Sequence, residues 1–411
     1  MAKVVELDGP TLAWARDRFA QYYRSASIDP PPRLLRREFA AFPFARETMM
    51  RRHASFRTPE EFGRFLRGEV PRHVYYSTAY YRKPSEPTMA QKEWLGADLI
   101  FDLDADHLRG AEKLDYAGQL LLVKERLLAL VDDFLVRDFG IDPQSMLLAF
   151  SGGRGYHVHV REERFLPLTN PERRELVDYL SGTGFDPGSV IGRRREGDPR
   201  SEDAPPAGRV APTRHLAPPE APGWTGRETR ALLALLSRWE ALGTEGAAAE
   251  LEAMGVPRPK ARRWAGLLIT EGGARRIRSD PQLAVPATLV PNDLLEVVLK
   301  QAEIVVQGET DAPVTTDIHR LIRLPGSLHG GTGLRVTALP RDRLESFDPF
   351  RDAVVAKAMP GRARVTPRVD AEYPFPDGGV RVRAEQPIEL PTTQALFLVL
   401  RGEAELRPSP T

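Results

Sequence analysis

Apolar residues recur along the chain with two periods, and the switch between them lays out the predicted elements. Leu12, Ala15, Phe19 and Tyr22 fall at helical spacing over residues 10–24, with Asp8 placed to cap and Pro10 in the first turn. A short helix over 59–66 precedes Val74-Tyr75-Tyr76-Ser77-Thr78-Ala79-Tyr80-Tyr81, a run of strand formers that reads as a packed strand. Residues 97–106 then alternate with period two. Leu99, Phe101 and Leu103 share one face of a strand, while Asp102 and Asp104 sit side by side on the other. Leu114, Ala117, Leu121, Leu127, Leu130, Val131, Phe134 and Leu135 predict a long helix over 111–139, ended by Gly140. Met146-Leu147-Leu148-Ala149-Phe150 is an apolar run fit for a buried strand. Beyond a glycine-rich turn the chain returns with Tyr156, Val158 and Val160 on one face and His157 and His159 on the other.

After a capped helix over 170–180 the pattern is lost. Residues 192–223 are rich in Arg, Pro and Gly with no period and read as a flexible connection. Helical patterns resume at 225–242, 245–254 and 257–269, an inserted all-helical unit, and again at 291–302, with Ile304-Val305-Val306 as a short strand. Thr316 is placed to cap a two-turn helix that carries Leu321, Ile322 and Leu324, sets Arg320 and Arg323 as neighbours, and stops at Pro325. The expected fold class is α/β (mixed α+β), with an antiparallel or mixed sheet core, flanking helices and the helical insertion. The expected division is 1–191 for the first part of the main domain, 192–290 for linker and insertion, 291–358 for the second part, and 359–411 for a C-terminal extension. In that extension the apolar run Ala395-Leu396-Phe397-Leu398-Val399-Leu400 either docks back or meets a partner.

Composition narrows the chemistry. With no Cys among 411 residues, disulfides, thiolate zinc sites, iron–sulfur ligation and a Cys nucleophile are excluded. A net charge of +1 gives the whole molecule no large field, but Arg is clustered locally, and local clusters bind phosphates. There is no N-terminal apolar signal core and no uncharged apolar run of about eighteen residues. A cytoplasmic location and no membrane partner are therefore expected.

Two regions carry candidate chemistry. Asp102 and Asp104 repel each other on one strand face, a cost that a divalent cation with hard oxygen ligands removes. Ser151-Gly152-Gly153-Arg154-Gly155 offers glycine turns through which backbone N–H groups approach an anion, and Arg154 supplies a forked donor. It is neither a Walker A loop nor a dinucleotide fingerprint, since no Gly-Lys-Ser/Thr is present and no helix follows. In the second region Asp311 stands where it can supply a third acid, and Arg323 and His329 can meet phosphate oxygens.

Three stretches in this order, Gly96-Ala97-Asp98-Leu99-Ile100-Phe101-Asp102-Leu103-Asp104, Ser151-Gly152-Gly153-Arg154-Gly155-Tyr156-His157 and Leu321-Ile322-Arg323-Leu324-Pro325-Gly326-Ser327-Leu328-His329-Gly330, resemble the catalytic small subunit of archaeal and eukaryotic DNA primase. The resemblance spans about residues 36–336 apart from the helical insertion. It implies a nucleotidyltransferase, a DNA-directed RNA polymerase that makes short RNA and often DNA primers de novo from nucleoside triphosphates on single-stranded DNA. It also implies two Mg²⁺ or Mn²⁺ ions per active site and a primase large subunit as heterodimer partner. Carried over residue by residue, Asp102, Asp104 and Asp311 match the metal-binding catalytic carboxylates, with Asp317 as the fallback for the third. Ser151, Arg154 and His157 match the triphosphate-contacting motif, Arg323 and His329 the residues on the β and γ phosphates, and Glu38 and Arg52 those near the nucleotide and its ribose. Many relatives carry a Cys/His zinc knuckle between the second and third motifs; without Cys no zinc is expected here, and the helical insertion takes its place. Relatives also often have Lys two residues after the motif His, where this chain has Gly331, which moves the phosphate-binding expectation onto Arg323, Arg154 and Arg335. The alternatives are a primase-related polymerase that extends ends in strand-break repair, and a non-catalytic nucleic-acid-binding subunit.

Overall fold

Two antiparallel four-stranded sheets position the candidate residues. A computed structural model describes residues 7–45, 49–194, 213–306, 310–376 and 378–407. In the first sheet the order is Thr337–Leu339, Met146–Phe150, Gly155–Val160, Leu99–Asp104. Leu99, Phe101 and Leu103 are buried and the two aspartates are partly exposed, so the period-two reading holds. In the second sheet the order is Leu321–Arg323, His73–Ser77, Phe39–Phe42, Arg51–Ala54. Two buried arginines hold the start of the aspartate strand. Arg37 pairs with Asp98 at 2.8 Å and donates to the Ser77 and Thr78 carbonyls, while Arg173 donates to the carbonyls of Ala97 and Asp98. Each guanidinium thereby satisfies several buried acceptors at once.

The chain forms two compact units, Met1–Ala129 with Ile141–Val177 and Glu309–Thr411, and Leu130–Gly140 with Asp178–Gly308. The second has helices Gly223–Ala253, Arg258–Ala265, Gly273–Ser279 and Asn292–Val306 around Leu232, Leu236, Trp239, Leu251, Trp264 and Leu268. Gly243, non-helical at φ 72° and ψ −178°, breaks the first of these near the boundary expected between 242 and 245. No helix among the described residues is long and apolar enough to cross a membrane.

Several expectations are corrected. The second unit is larger than 192–290 and takes in the helix Asn292–Val306, because Leu294, Leu295, Val298 and Leu299 lie in its core. Residues 304–306 are the last turn of that helix, not a strand. The stretch 192–223 expected as a flexible connection holds most of strand Ile191–Arg194 and the whole of strand Thr213–Leu216, which pair; residues 195–212 lie outside the described residues. The helix expected over 111–139 arrives as a 3₁₀ turn Ala111–Lys113, an α-helix Tyr116–Ala129 and a π-helical segment Leu130–Val136. The two-turn helix after Thr316 is absent: a short helix Ala312–Thr316 ends there and Leu321–Arg323 is a strand paired with Tyr75, Tyr76 and Ser77. Its apolar residues suit either period over so few positions, and a sheet edge some 250 residues away decides between them.

The C-terminal segment is no appendage. Strands Ile388–Pro391, Arg362–Pro367 and Ala404–Leu406 form a sheet that packs on helix Thr392–Leu400, whose apolar run is buried all round. The run docks back within its own unit.

Candidate active site

The site is built around the aspartate strand, which lies at the edge of its sheet. In register, Asp102 faces His157 and Asp104 faces Gly155 across the ladder. Asp311 arrives through the backbone: its N–H donates to the Asp102 carbonyl at 2.8 Å, and the Thr310 hydroxyl donates to the same oxygen at 3.2 Å. Its Oδ2 lies 3.8 Å from Nε2 of His107. Asp317 is placed otherwise, its carboxylate accepting the N–H of His319 at 2.8 Å. Burial pushes the Asp102 carboxyl up to about 7, and the charges of Asp104 and Asp311 push the same way, against Arg320 and Arg323. Across from it His157 is buried, with Nε2 3.4 Å from Asp102 Oδ1 and, among the described residues, no hydrogen-bond partner on Nδ1. Burial, followed by Arg323 and Arg320, pushes its imidazole down to about 3, so the ring is neutral.

The glycine turn lies beside the carboxylates. Ser151 Oγ accepts the N–H groups of Gly153 and Gly155 at 3.3 and 3.2 Å, which leaves its own proton to donate. Gly152 adopts φ +78°, and a Cβ there would fall 2.6 Å from the Cβ of His329. The turn is seated directly on that histidine. Thr332 completes the seat by donating from Oγ1 to the Gly152 carbonyl at 2.5 Å. His329 Nδ1 accepts the Gly331 N–H at 3.2 Å, which assigns its ring proton to Nε2. Burial, aided by Arg323, His73, Arg72 and Arg154, holds this imidazole well below its usual range. His329 is therefore a neutral donor. Arg154 pairs with Asp106 at 2.6 Å, partly exposed, an ion pair weak enough to exchange for phosphate.

The remaining candidates are distributed unevenly. Arg323 lies 2.6 Å from His73 Nδ1, its guanidinium 5.1 Å over the ring of Tyr75. Glu38 is fully buried and binds Arg52 at 3.0 Å, the His53 N–H at 3.2 Å and Lys92 at 3.3 Å, so only Arg52 of this pair reaches solvent. Arg335, expected to share phosphate binding, donates to the Asp352 carbonyl at 3.0 Å. His73, Arg72, Thr332 and Asp106 were not among the residues the sequence pattern singled out. Their roles depend on contacts across long stretches of chain, and only Asp106, two residues past the acidic pair, had a local signal.

Three adjoining carboxylates, one of them pushed toward neutrality by burial and by the charges of the other two, are a donor set for hard divalent cations. Among the described residues no three His, Asp or Glu side chains already form a ready-made metal cage. The donor chemistry of the three carboxylates fits such ions.

The sequence model of the DNA primase small subunit matches residues 101–340, more than half the chain. The chain belongs to the DNA primase small-subunit family. The DNA primase small subunit of Methanothrix thermoacetophila is 41% identical over 97% of this chain and 100% of its own length. That of Methanocella arvoryzae is 38% identical over 98% and 100%, and that of Natronomonas pharaonis 40% identical over 85% and 86%. The stretch matching the primase family includes Asp102, Asp104, Ser151, Arg154, His157, Asp311, Arg323 and His329, and leaves Glu38 and Arg52 outside. Membership favours primase function over end extension in repair and over a non-catalytic subunit.

Proposed function

We propose that this chain is the catalytic subunit of a DNA primase, a nucleotidyltransferase that joins nucleoside triphosphates into short primers on single-stranded DNA in the cytoplasm, as a heterodimer with a large subunit. The observation that carries the reading is the meeting of Asp311 with the Asp102–Asp104 pair beside the glycine turn. In this reading Asp102, Asp104 and Asp311 hold two Mg²⁺ or Mn²⁺ ions. Bound there, such ions neutralise charge on the phosphates and make the attacking 3′-hydroxyl more acidic.

The protein's own groups position the substrate. Ser151 donates its hydroxyl proton, His329 its Nε2–H and Arg154 and Arg323 their forked N–H groups to the triphosphate, spreading donors over the oxygens that gain charge as pyrophosphate leaves. Arg154 releases Asp106 to do so. Neutral His157 adds no cation beside Asp102 to compete with metal. Arg52, held by buried Glu38, is the group available to the sugar.

The test is incorporation of labelled nucleoside triphosphates on primer-free single-stranded DNA with Mg²⁺ or Mn²⁺. Metal-dependent product from wild type, none from Asp102→Ala, and a cooperative melt from both are expected. Incorporation by Asp102→Ala at the wild-type rate sinks the assignment of the site. If wild type yields nothing alone, extension of a supplied primer separates dependence on the large subunit from an inactive site.

A further inference from the structure

Arg323 and His329 come from different segments, a strand end and the turn beyond it, and one buried side chain touches both. His73 opens the strand His73–Ser77 and is 5% exposed. Its Nδ1 lies 2.6 Å from Nη1 of Arg323 and accepts the Gly330 N–H at 3.2 Å. Its ring stands edge-on to that of His329 at 5.1 Å. A guanidinium and a backbone N–H are donors only, so Nδ1 accepts in both contacts and the ring proton sits on Nε2. Burial, with Arg323 and Arg72 adding to it, holds the imidazole well below its usual range and preserves that lone pair. The preceding residue completes the clasp: Arg72 Nε donates to the Gly330 carbonyl at 2.9 Å, so consecutive residues take both polar groups of Gly330. A Cβ at Gly330 would fall 2.4 Å from Arg72 Cγ and 2.7 Å from His73 Nε2, so the clasp closes only on glycine.

We propose that His73 is a positioning residue for nucleotide binding. Through Nδ1 it directs the Arg323 guanidinium and fixes the peptide that follows His329, aligning two phosphate donors from one lone pair. With one N–H of Arg323 held by His73 and its plane lying over Tyr75, its other N–H groups stay directed at the ligand. The inference rests on the phosphate-binding role proposed above for Arg323 and His329.

The experiment measures equilibrium binding of a labelled nucleoside triphosphate to the full chain and to three variants. His73→Asn keeps an acceptor where Nδ1 stands, His73→Gln moves it to the place of Nε2, and His73→Phe keeps a ring with no acceptor. Loss of an acceptor to a charged donor predicts binding weakened about tenfold in the Phe and Gln variants, with Asn within about twofold of wild type. Buried volume alone does not give that order, since Gln is closer to His in size than Asn is. Where the Phe variant fails to melt cooperatively, the contrast between Asn and Gln decides. Binding by Gln as tight as by Asn, or by a folded Phe variant as tight as by wild type, overturns the role of His73. A wild type that binds no nucleoside triphosphate instead overturns the reading of Arg323 and His329, an outcome distinct from equal binding by all four proteins.

Discussion

Asp102 stands in a field that opposes its own ionisation, and this has a consequence for stability. A carboxyl in an unfolded chain titrates near 4, at about 3.9 for Asp, whereas in the fold it is pushed up to about 7 by burial, Asp104 and Asp311. Below the unfolded value both states hold the proton. Between the two values the native state keeps a proton the unfolded state has released, so stability falls as pH rises across that window, by on the order of a few kcal/mol in all, and levels off once pH passes the folded value. In chelator at pH 8, Asp102→Asn is therefore expected to melt above wild type, with the gap closing toward pH 4. Added Mg²⁺ or Mn²⁺ should raise wild type more than the variant. Equal melting of the two in chelator at pH 8 contradicts the crowding of the three carboxylates. The histidines respond to burial in the opposite sense: His157 and His329 are held neutral, which makes them donors and acceptors in place of charges.

At the scale of elements, the site is a strand end and two turns clamped together. The glycine turn sits on His329 and is tied by Thr332, so neither turn holds its shape alone. Gly152→Ala places a Cβ where φ is +78° and His329 Cβ is 2.6 Å away. A cost of about 1–3 kcal/mol is expected from that backbone conformation and contact. Because the displaced partner is His329, KM for nucleoside triphosphate should rise more than kcat falls. Unchanged KM in a folded Gly152→Ala protein argues against the turn as a phosphate seat. Beneath the site, Arg37 and Arg173 lock Ala97 and Asp98, which sets where the following strand begins and so which residues face the ligand.

At the scale of the molecule, the C-terminal helix Thr392–Leu400 supports the site from behind. Phe397 contacts the rings of Tyr116, Phe350, Tyr373 and Phe375, and Tyr116 donates its hydroxyl to the Gly153 carbonyl at 2.6 Å. A chain of contacts thus runs from the last helix to the glycine turn. Phe397→Ala, which removes a fully buried ring, is expected to cost about 3–5 kcal/mol. Primer synthesis should be lost at a lower temperature than in wild type, followed by melting and activity in parallel. A variant as stable as wild type would show that this helix does not brace the turn.

Asp102 and Asp104 on one face, the glycine turn between two strands, and the order of the three motifs were legible in the sequence, because period two and turn chemistry are local properties of consecutive residues. The family followed from motif order. Tertiary structure alone decided the rest. Residues 321–323 became a strand because His73–Ser77 offered an edge, and Asp311 rather than Asp317 joined the pair because its N–H meets the Asp102 carbonyl. Arg335 came to bond the Asp352 carbonyl, His73 came to hold Arg323, and the C-terminal run found its place in the core. Each of these is a pairing of donors and acceptors, or of apolar faces, from stretches distant in the chain. Such pairings are chosen by competition among all the partners that folding brings within reach, and no local pattern records the outcome.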